Sequence, residues 1–123
     1  MSNFGTAHWP VELKLKQAEK RLEVEFDDGR HFSLPAEYLR VESPSAEVQG
    51  HSPEQKTLVA GRSKVGIQRL EPVGNYAVRI VFDDRHDTGI FSWAYLYELG
   101  TEQPERWQRY LDQMAKAGLS REP

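Results

Sequence analysis

Apolar and polar residues alternate along most of the first forty positions, a pattern typical of half-buried β-strands. Two alternating runs occupy 11–16 and 22–26, with a turn over 17–20 between them. The apolar residues predicted to face inward are Val11, Leu13, Leu15, Leu22, Val24 and Phe26. Asp27-Asp28-Gly29 predicts a reversal into a third strand, with Phe32 and Leu34 on its inner face. A short helix over 35–39 should follow, because proline suits the first helical turn.

The second half of the chain repeats this order. Ile67 and Leu70 lie in a strand predicted to end at the turn Pro72-Val73-Gly74-Asn75. The next strand should bury Tyr76, Val78, Ile80 and Phe82 on one face. A turn over 83–86, a strand at Ile90-Phe91 and a helix over 92–99 complete the unit. The fold class predicted is α+β and two-layered, with two antiparallel β-meanders each followed by a short helix. This is a pseudo-repeat, unless the same order recurs by chance.

Two segments fall outside the repeat. Positions 43–61 show neither strand nor helix periodicity, and an irregular segment of this length is more often functional or mobile than merely connective. Near the end, apolar residues recur at helical spacing between Pro104 and Gly118, which suit a helix start and stop. These residues are Trp107, Tyr110, Leu111 and Met114. We predict a C-terminal helix that packs on the core; an aromatic stripe offered to a partner is the alternative.

Size and charge restrict the class of protein. The 123 residues fit a single domain, 1–123, and are enough to bury a core. A formal net charge of -3 gives no general attraction to nucleic acid or anionic membranes. The basic stretch 56–69 contains no aromatic residue on which bases could stack. With no secretory leader pattern and no long apolar run, we expect a cytoplasmic monomer that binds neither nucleic acid nor membrane.

The sequence contains no complete catalytic or metal-binding signature. There is no cysteine, and none of the four histidines begins a His-x-Asp or His-Glu-x-x-His motif. The turn clusters Asp27/Asp28/His31 and Asp83/Asp84/His86 could offer metal ligands, but acids in hairpin turns usually serve backbone geometry. No nucleophile–base pair is visible. We therefore predict no cofactor and no enzymatic activity.

Two long motifs carry a resemblance to a known family. The first, over 38–51, reads YLRVESPSAEVQGH. The second, over 72–93, contains PVGNYAV, FDD and HDTGIFSW. Together they resemble a bacterial domain of unknown function (DUF971) that is related to the N-terminal domain of γ-butyrobetaine hydroxylase. The resemblance covers about 8–100, which leaves 101–123 as a C-terminal helix and tail.

The resemblance implies a domain without its own catalysis. In the hydroxylases this domain precedes a separate iron-binding β-helix, which these 123 residues are too few to contain. The small domain itself holds a structural zinc through three cysteines and a histidine. Those cysteine positions correspond to Ser43, Ser45 and Val48, while His86 matches the histidine. Because serine is a poor zinc ligand and valine is none, we expect no zinc site.

The resemblance also suggests a role. Related domains occur fused to ATP-dependent iron–sulfur cluster carriers, which implies an accessory function in metal-cofactor assembly. Our hypothesis is a non-enzymatic module that binds an unknown protein partner. Its candidate recognition surface consists of Ser43, Ser45, Glu47, His51 and His86. Two alternatives remain open: these residues merely turn and cap the loop, or His86 and nearby residues such as His51 bind iron or zinc weakly.

Overall fold

A computed structural model describes residues 8–50 and 52–123, and its strands form two separate antiparallel sheets. The first meander and its helix are β1 (Pro10–Lys16), β2 (Arg21–Phe26), β3 (His31–Pro35) and α1 (Ala36–Val41). The second unit is β4 (Ile67–Val73), β5 (Ala77–Phe82), β6 (Ile90–Ser92) and α3 (Trp93–Thr101). Between them lie α2 (Ala46–Gln49) and a 3-10 turn (Pro53–Gln55), and α4 (Gln103–Ala117) follows. The predicted fold class is confirmed.

The two units match down to individual backbone hydrogen bonds. Phe26 N–H donates to the Arg30 carbonyl at 2.8 Å, and Phe82 N–H donates to the His86 carbonyl at 2.9 Å. Two further bonds recur in both units. The Asp27 N–H donates to the Trp9 carbonyl, as the Asp83 N–H does to the Gly66 carbonyl. The Ala36 N–H donates to the Lys20 carbonyl, as the Trp93 N–H does to the Tyr76 carbonyl. The first strand of each unit also has a bulge near its start. Chance recurrence of strand order does not produce such equivalences, so the pseudo-repeat is structural.

One apolar core joins the two units. The inner faces of both sheets supply it through Leu22, Val24, Phe26, Leu34, Val78, Ile80, Phe82 and Phe91. Leu39 of α1 and Leu96 and Leu99 of α3 are also part of it. Tyr38 donates its hydroxyl hydrogen to the Leu99 carbonyl at 2.7 Å, which links the two helices. Burial of this much apolar surface is the main force that stabilises the fold.

A second apolar cluster lies under α4. Tyr110 and Met114 pack there with Val41, Val48 and Val59. The Tyr110 hydroxyl donates to the Val59 carbonyl at 2.6 Å. Gly118 ends the helix in the left-handed conformation, with φ of 67°. The predicted core-facing C-terminal helix is therefore confirmed. Among the described helices, none combines the length and apolar character needed to cross a membrane.

The structure corrects several details of the prediction. Val11 is 61% exposed, because the bulge between Pro10 and Glu12 shifts the alternation. Tyr76 is also exposed and precedes β5 rather than facing the core. The turn predicted over 72–75 begins later, since β4 continues to Val73. The irregular segment 43–61 is not free of helical structure, because α2 and the 3-10 turn lie within it.

The contact of α3 with the first sheet gives a stability prediction. A Cβ added at Gly100 would overlap the ring of Phe32. Alanine normally stabilises a helix relative to glycine, by about 1 kcal/mol. Here we expect Gly100→Ala to lower the free energy of unfolding by about 1–3 kcal/mol, because the ring must move. Urea denaturation measures the change, and a gain in stability would contradict the close packing.

Candidate functional site

The loop after α1 meets the turn after β5. Ser43 and Ser45 flank Pro44, and Ser45 is the residue that precedes α2. Their hydroxyl oxygens lie 2.9 Å and 3.3 Å from Nε2 of His86. His86 is held in place by its own turn, since its backbone N–H donates to Asp84 Oδ1 at 3.1 Å. The two halves of the pseudo-repeat are thus joined by side chains 41 and 43 residues apart.

The other ring nitrogen of His86 faces a carboxylate. Nδ1 lies 3.1 Å from Glu47 Oε1, and Thr88 donates its hydroxyl hydrogen to the same oxygen. A carboxylate accepts only, so Nδ1 carries the hydrogen and Nε2 accepts from a serine hydroxyl. Burial lowers the pKa of His86, the Arg40 guanidinium lowers it further, and nearby carboxylates oppose both effects. The ring is therefore held neutral.

Two arginines share one carboxylate beside the histidine. Arg40 Nε and Arg62 Nε lie 2.8 Å and 2.7 Å from Oδ2 of Asp84. Burial raises the pKa of Asp84, but hydrogen bonds from Arg40 and the His86 amide, with both guanidinium charges, outweigh it and lower the pKa. Asp84 is therefore ionised and fixes both arginines against the turn that carries His86.

A shallow depression of about 260 Å³ opens above these groups. Its lining includes Arg40, Glu47, Arg62 and His86. Val48 and the segment 57–60 complete the lining. The depression therefore brings the predicted loop, the turn after β5 and two arginines to one place on the surface.

The candidate residues differ in accessibility. Ser43 is 0% exposed, and Ser45 and His86 are buried as well. The Glu47 side chain is 64% exposed. His51 lies outside the described residues. The structure thus places Ser43, Ser45 and Glu47 against His86, but of these four only Glu47 presents a large surface to solvent.

The arrangement contains a relay that the sequence did not reveal. Ser43, His86 and Glu47 stand in the order hydroxyl, imidazole, carboxylate, as in nucleophilic triads. No local spacing signals this, because the serine and the histidine are 43 positions apart. Arg40 and Arg62 were also missed as site residues: Arg40 lies in the motif over 38–51 and Arg62 in the basic stretch 56–69, but neither pattern places them beside Asp84. Only the resemblance linked the loop with His86.

The donor set does not fit zinc. Around His86 Nε2 the structure supplies two neutral hydroxyls, and Val48 has no donor atom at all. Structural zinc needs four ligands, usually thiolates and imidazoles. Across 8–50 and 52–123, no group of three or more histidine, cysteine or acidic side chains is placed to hold a metal ion. The turn clusters Asp27/Asp28/His31 and Asp83/Asp84/His86 do not bring their side chains together in such a group.

The buried neutral histidine gives a pH prediction. Because the pKa of His86 is lower in the folded state than its ordinary 6.5, the unfolded chain takes up its proton first as pH falls. The stabilising contribution is complete above about pH 6.5 and is lost below it. Urea unfolding between about pH 7.5 and 5.5 should show a larger loss in the wild type than in His86→Gln. Equal losses in both proteins would contradict the assignment.

One family model and several solved structures match this chain. A family model described as gamma-butyrobetaine hydroxylase-like, N-terminal, matches residues 13–97. A solution NMR structure 46% identical to this chain covers 94% of it and 91% of the other protein, with a TM-score of 0.82. A second NMR structure, also 46% identical, covers 100% and 92%, with a TM-score of 0.83.

A crystal structure from Acidithiobacillus ferrooxidans is more distant. It is described as a protein of unknown function in the DUF971 family. It is 37% identical, covers 74% of this chain and 91% of its own, and has a TM-score of 0.63. No protein with a curated description matches significantly.

Proposed function

The chain belongs to the γ-butyrobetaine hydroxylase-like N-terminal (DUF971) family, and from this premise we propose that it is a non-enzymatic accessory domain that docks on another protein. The family model describes the N-terminal part of a hydroxylase-like protein rather than a catalytic domain.

The burial of Ser43 supports this proposal most directly. Its Oγ lies 2.9 Å from His86 Nε2, a distance suited to nucleophile activation. However, Ser43 has no exposed surface, so a substrate carbonyl could not approach to within about 3 Å of it. Gly89 also lies close, because a Cβ there would be 2.5 Å from Ser43 Oγ. We interpret the hydrogen-bonded side chains of Ser43, Ser45 and His86 as a cross-link that fixes the loop.

A fixed loop is what a docking surface needs. Restraining a binding segment before association reduces the entropy lost on binding. Ser43, Ser45 and His86 supply that restraint, and Glu47 is the candidate residue within reach of a partner. Since related domains are fused to iron–sulfur cluster carriers, we propose that the partner acts in the assembly of metal-cofactor proteins. This chain, without cysteine, would contribute recognition rather than ligands.

Affinity capture from the native cell tests the proposal. The wild type should retain a partner that Glu47→Ala and His51→Ala lose, and direct titration of the purified partner should show at least about tenfold weaker binding. Glu105→Ala is the matched control, because Glu105 is an exposed glutamate on α4, on a different element. If the loop variants keep the same partners at unchanged affinity, the loop is not the docking surface.

A further inference from the structure

The Arg40 guanidinium has one donor without an acceptor. Arg40 is only 8% exposed, and its Nε is paired with Asp84. Its Nη1 is buried and has no hydrogen-bond partner within the described part of the chain. A buried polar group left unpaired costs about 1–3 kcal/mol, more when charged, so such a group calls for an explanation.

A second guanidinium lies beside Arg40. Arg40 and Arg62 both approach the same Asp84 oxygen, so two guanidinium charges face one carboxylate. Arg62 Nε lies 2.7 Å from that oxygen without hydrogen-bond geometry, and Arg62 Nη1 donates to the carbonyls of Ala60 and Gly61. His86 is neutral and adds no charge. Asp84 offsets one of the two guanidinium charges and Glu47 lies against the same depression, so the positive charge that solvent can reach is that of Arg62, whose side chain is 36% exposed.

Guanidinium groups recognise carboxylates through paired, charge-assisted hydrogen bonds. A depression of about 260 Å³ is smaller than the 300–1,000 Å³ usual for small-molecule sites, so it suits a side chain better than a whole metabolite. Val48 and Leu58 in its walls suit the methylene groups of such a side chain. We propose that the depression binds the carboxylate of an acidic side chain presented by a partner protein, an inference that rests on the proposed docking function.

Glu47 gives this site a second, opposing feature. Its carboxylate is at the rim of the same depression and would repel an incoming acid. Its bonds to His86 and Thr88 hold it at the rim. The arginines attract a carboxylate and Glu47 repels it, so substitutions at Arg62 and at Glu47 should change the affinity for that carboxylate in opposite directions.

Acetate is the probe for this site, with chloride at equal ionic strength as its control. The side-chain Nε–H NMR signals of Arg40 and Arg62 should shift in a saturable way with acetate and not with chloride. Arg62→Gln should weaken acetate binding at least about fivefold, and Glu47→Gln should strengthen it about two- to fivefold. Arg62 is chosen because the buried Arg40 is harder to replace without unfolding. Arg109→Gln, on α4 outside the depression, should leave binding unchanged.

The outcomes separate this inference from the docking function. If acetate does not shift the two arginine signals, or if Arg62→Gln binds it equally well, the carboxylate site is wrong. Phosphate bound about tenfold more tightly than acetate would also overturn the assignment to a carboxylate. If partner capture depends on Glu47 but acetate does not shift the arginine signals, the docking function is supported and the carboxylate site is wrong.

Discussion

Replacement of His86 by alanine is expected to lower the free energy of unfolding by about 2–4 kcal/mol. The change removes a buried ring and takes the shared acceptor from the hydroxyls of Ser43 and Ser45. They keep a 3.4 Å contact with each other and a 3.4 Å bond from the Ser45 N–H to Ser43 Oγ. The substitution also removes the Nδ1 partner of Glu47. Urea denaturation at neutral pH measures the difference.

His31→Ala is the matched control for this experiment. His31 is exposed and pairs with Glu23, which retains Arg21 and Ser33 as partners when the imidazole is removed. Exposed ion pairs contribute about 0–1 kcal/mol, so the expected loss is small. If His86→Ala costs no more than His31→Ala, the cluster around His86 does not hold the loop.

Installing cysteines at Ser43, Ser45 and Val48 together is expected to create a tight metal site. The two hydroxyls already converge on His86 Nε2, and Val48 lines the same depression as His86. Three thiolates and an imidazole are a common tetrahedral zinc set. Zinc at about 1,000 times its dissociation constant would stabilise the folded state by about 4 kcal/mol.

Cobalt provides the readout, because a tetrahedral thiolate site gives visible absorption bands that the wild type should lack. Adding His86→Ala to the triple variant removes the fourth ligand and should weaken metal binding. A triple variant that binds neither cobalt nor zinc would show that these positions do not converge as the structure has them.

Much of the fold could be predicted because its signals are local. The alternation in β2 and β5 and the helical spacing in α4 follow from burial of one face. Val11 was misplaced because a bulge is a single extra residue, and nothing in the apolar pattern marks it. Tyr76 was misplaced because it stands two positions before Val78 and so extends the apolar alternation of β5, although β5 begins only at Ala77.

The candidate site could not be predicted in the same way. Ser43 and His86, and likewise Arg40 and Asp84, lie more than forty positions apart and meet only because the two units share a core. Hydrogen bonds and ion pairs of this kind leave no periodicity. The family resemblance supplied the first pair, while the second pair and the unpaired donor on Arg40 required coordinates.

Our central claim is that hydrogen bonds among Ser43, Ser45 and His86, rather than a bound ion, join the two units. Elemental analysis of the protein purified without added metal, combined with thermal unfolding before and after EDTA, tests this most directly. We expect less than stoichiometric zinc or iron and an unchanged unfolding temperature. One tightly bound ion per chain, with a fall in the unfolding temperature on chelation, would contradict it.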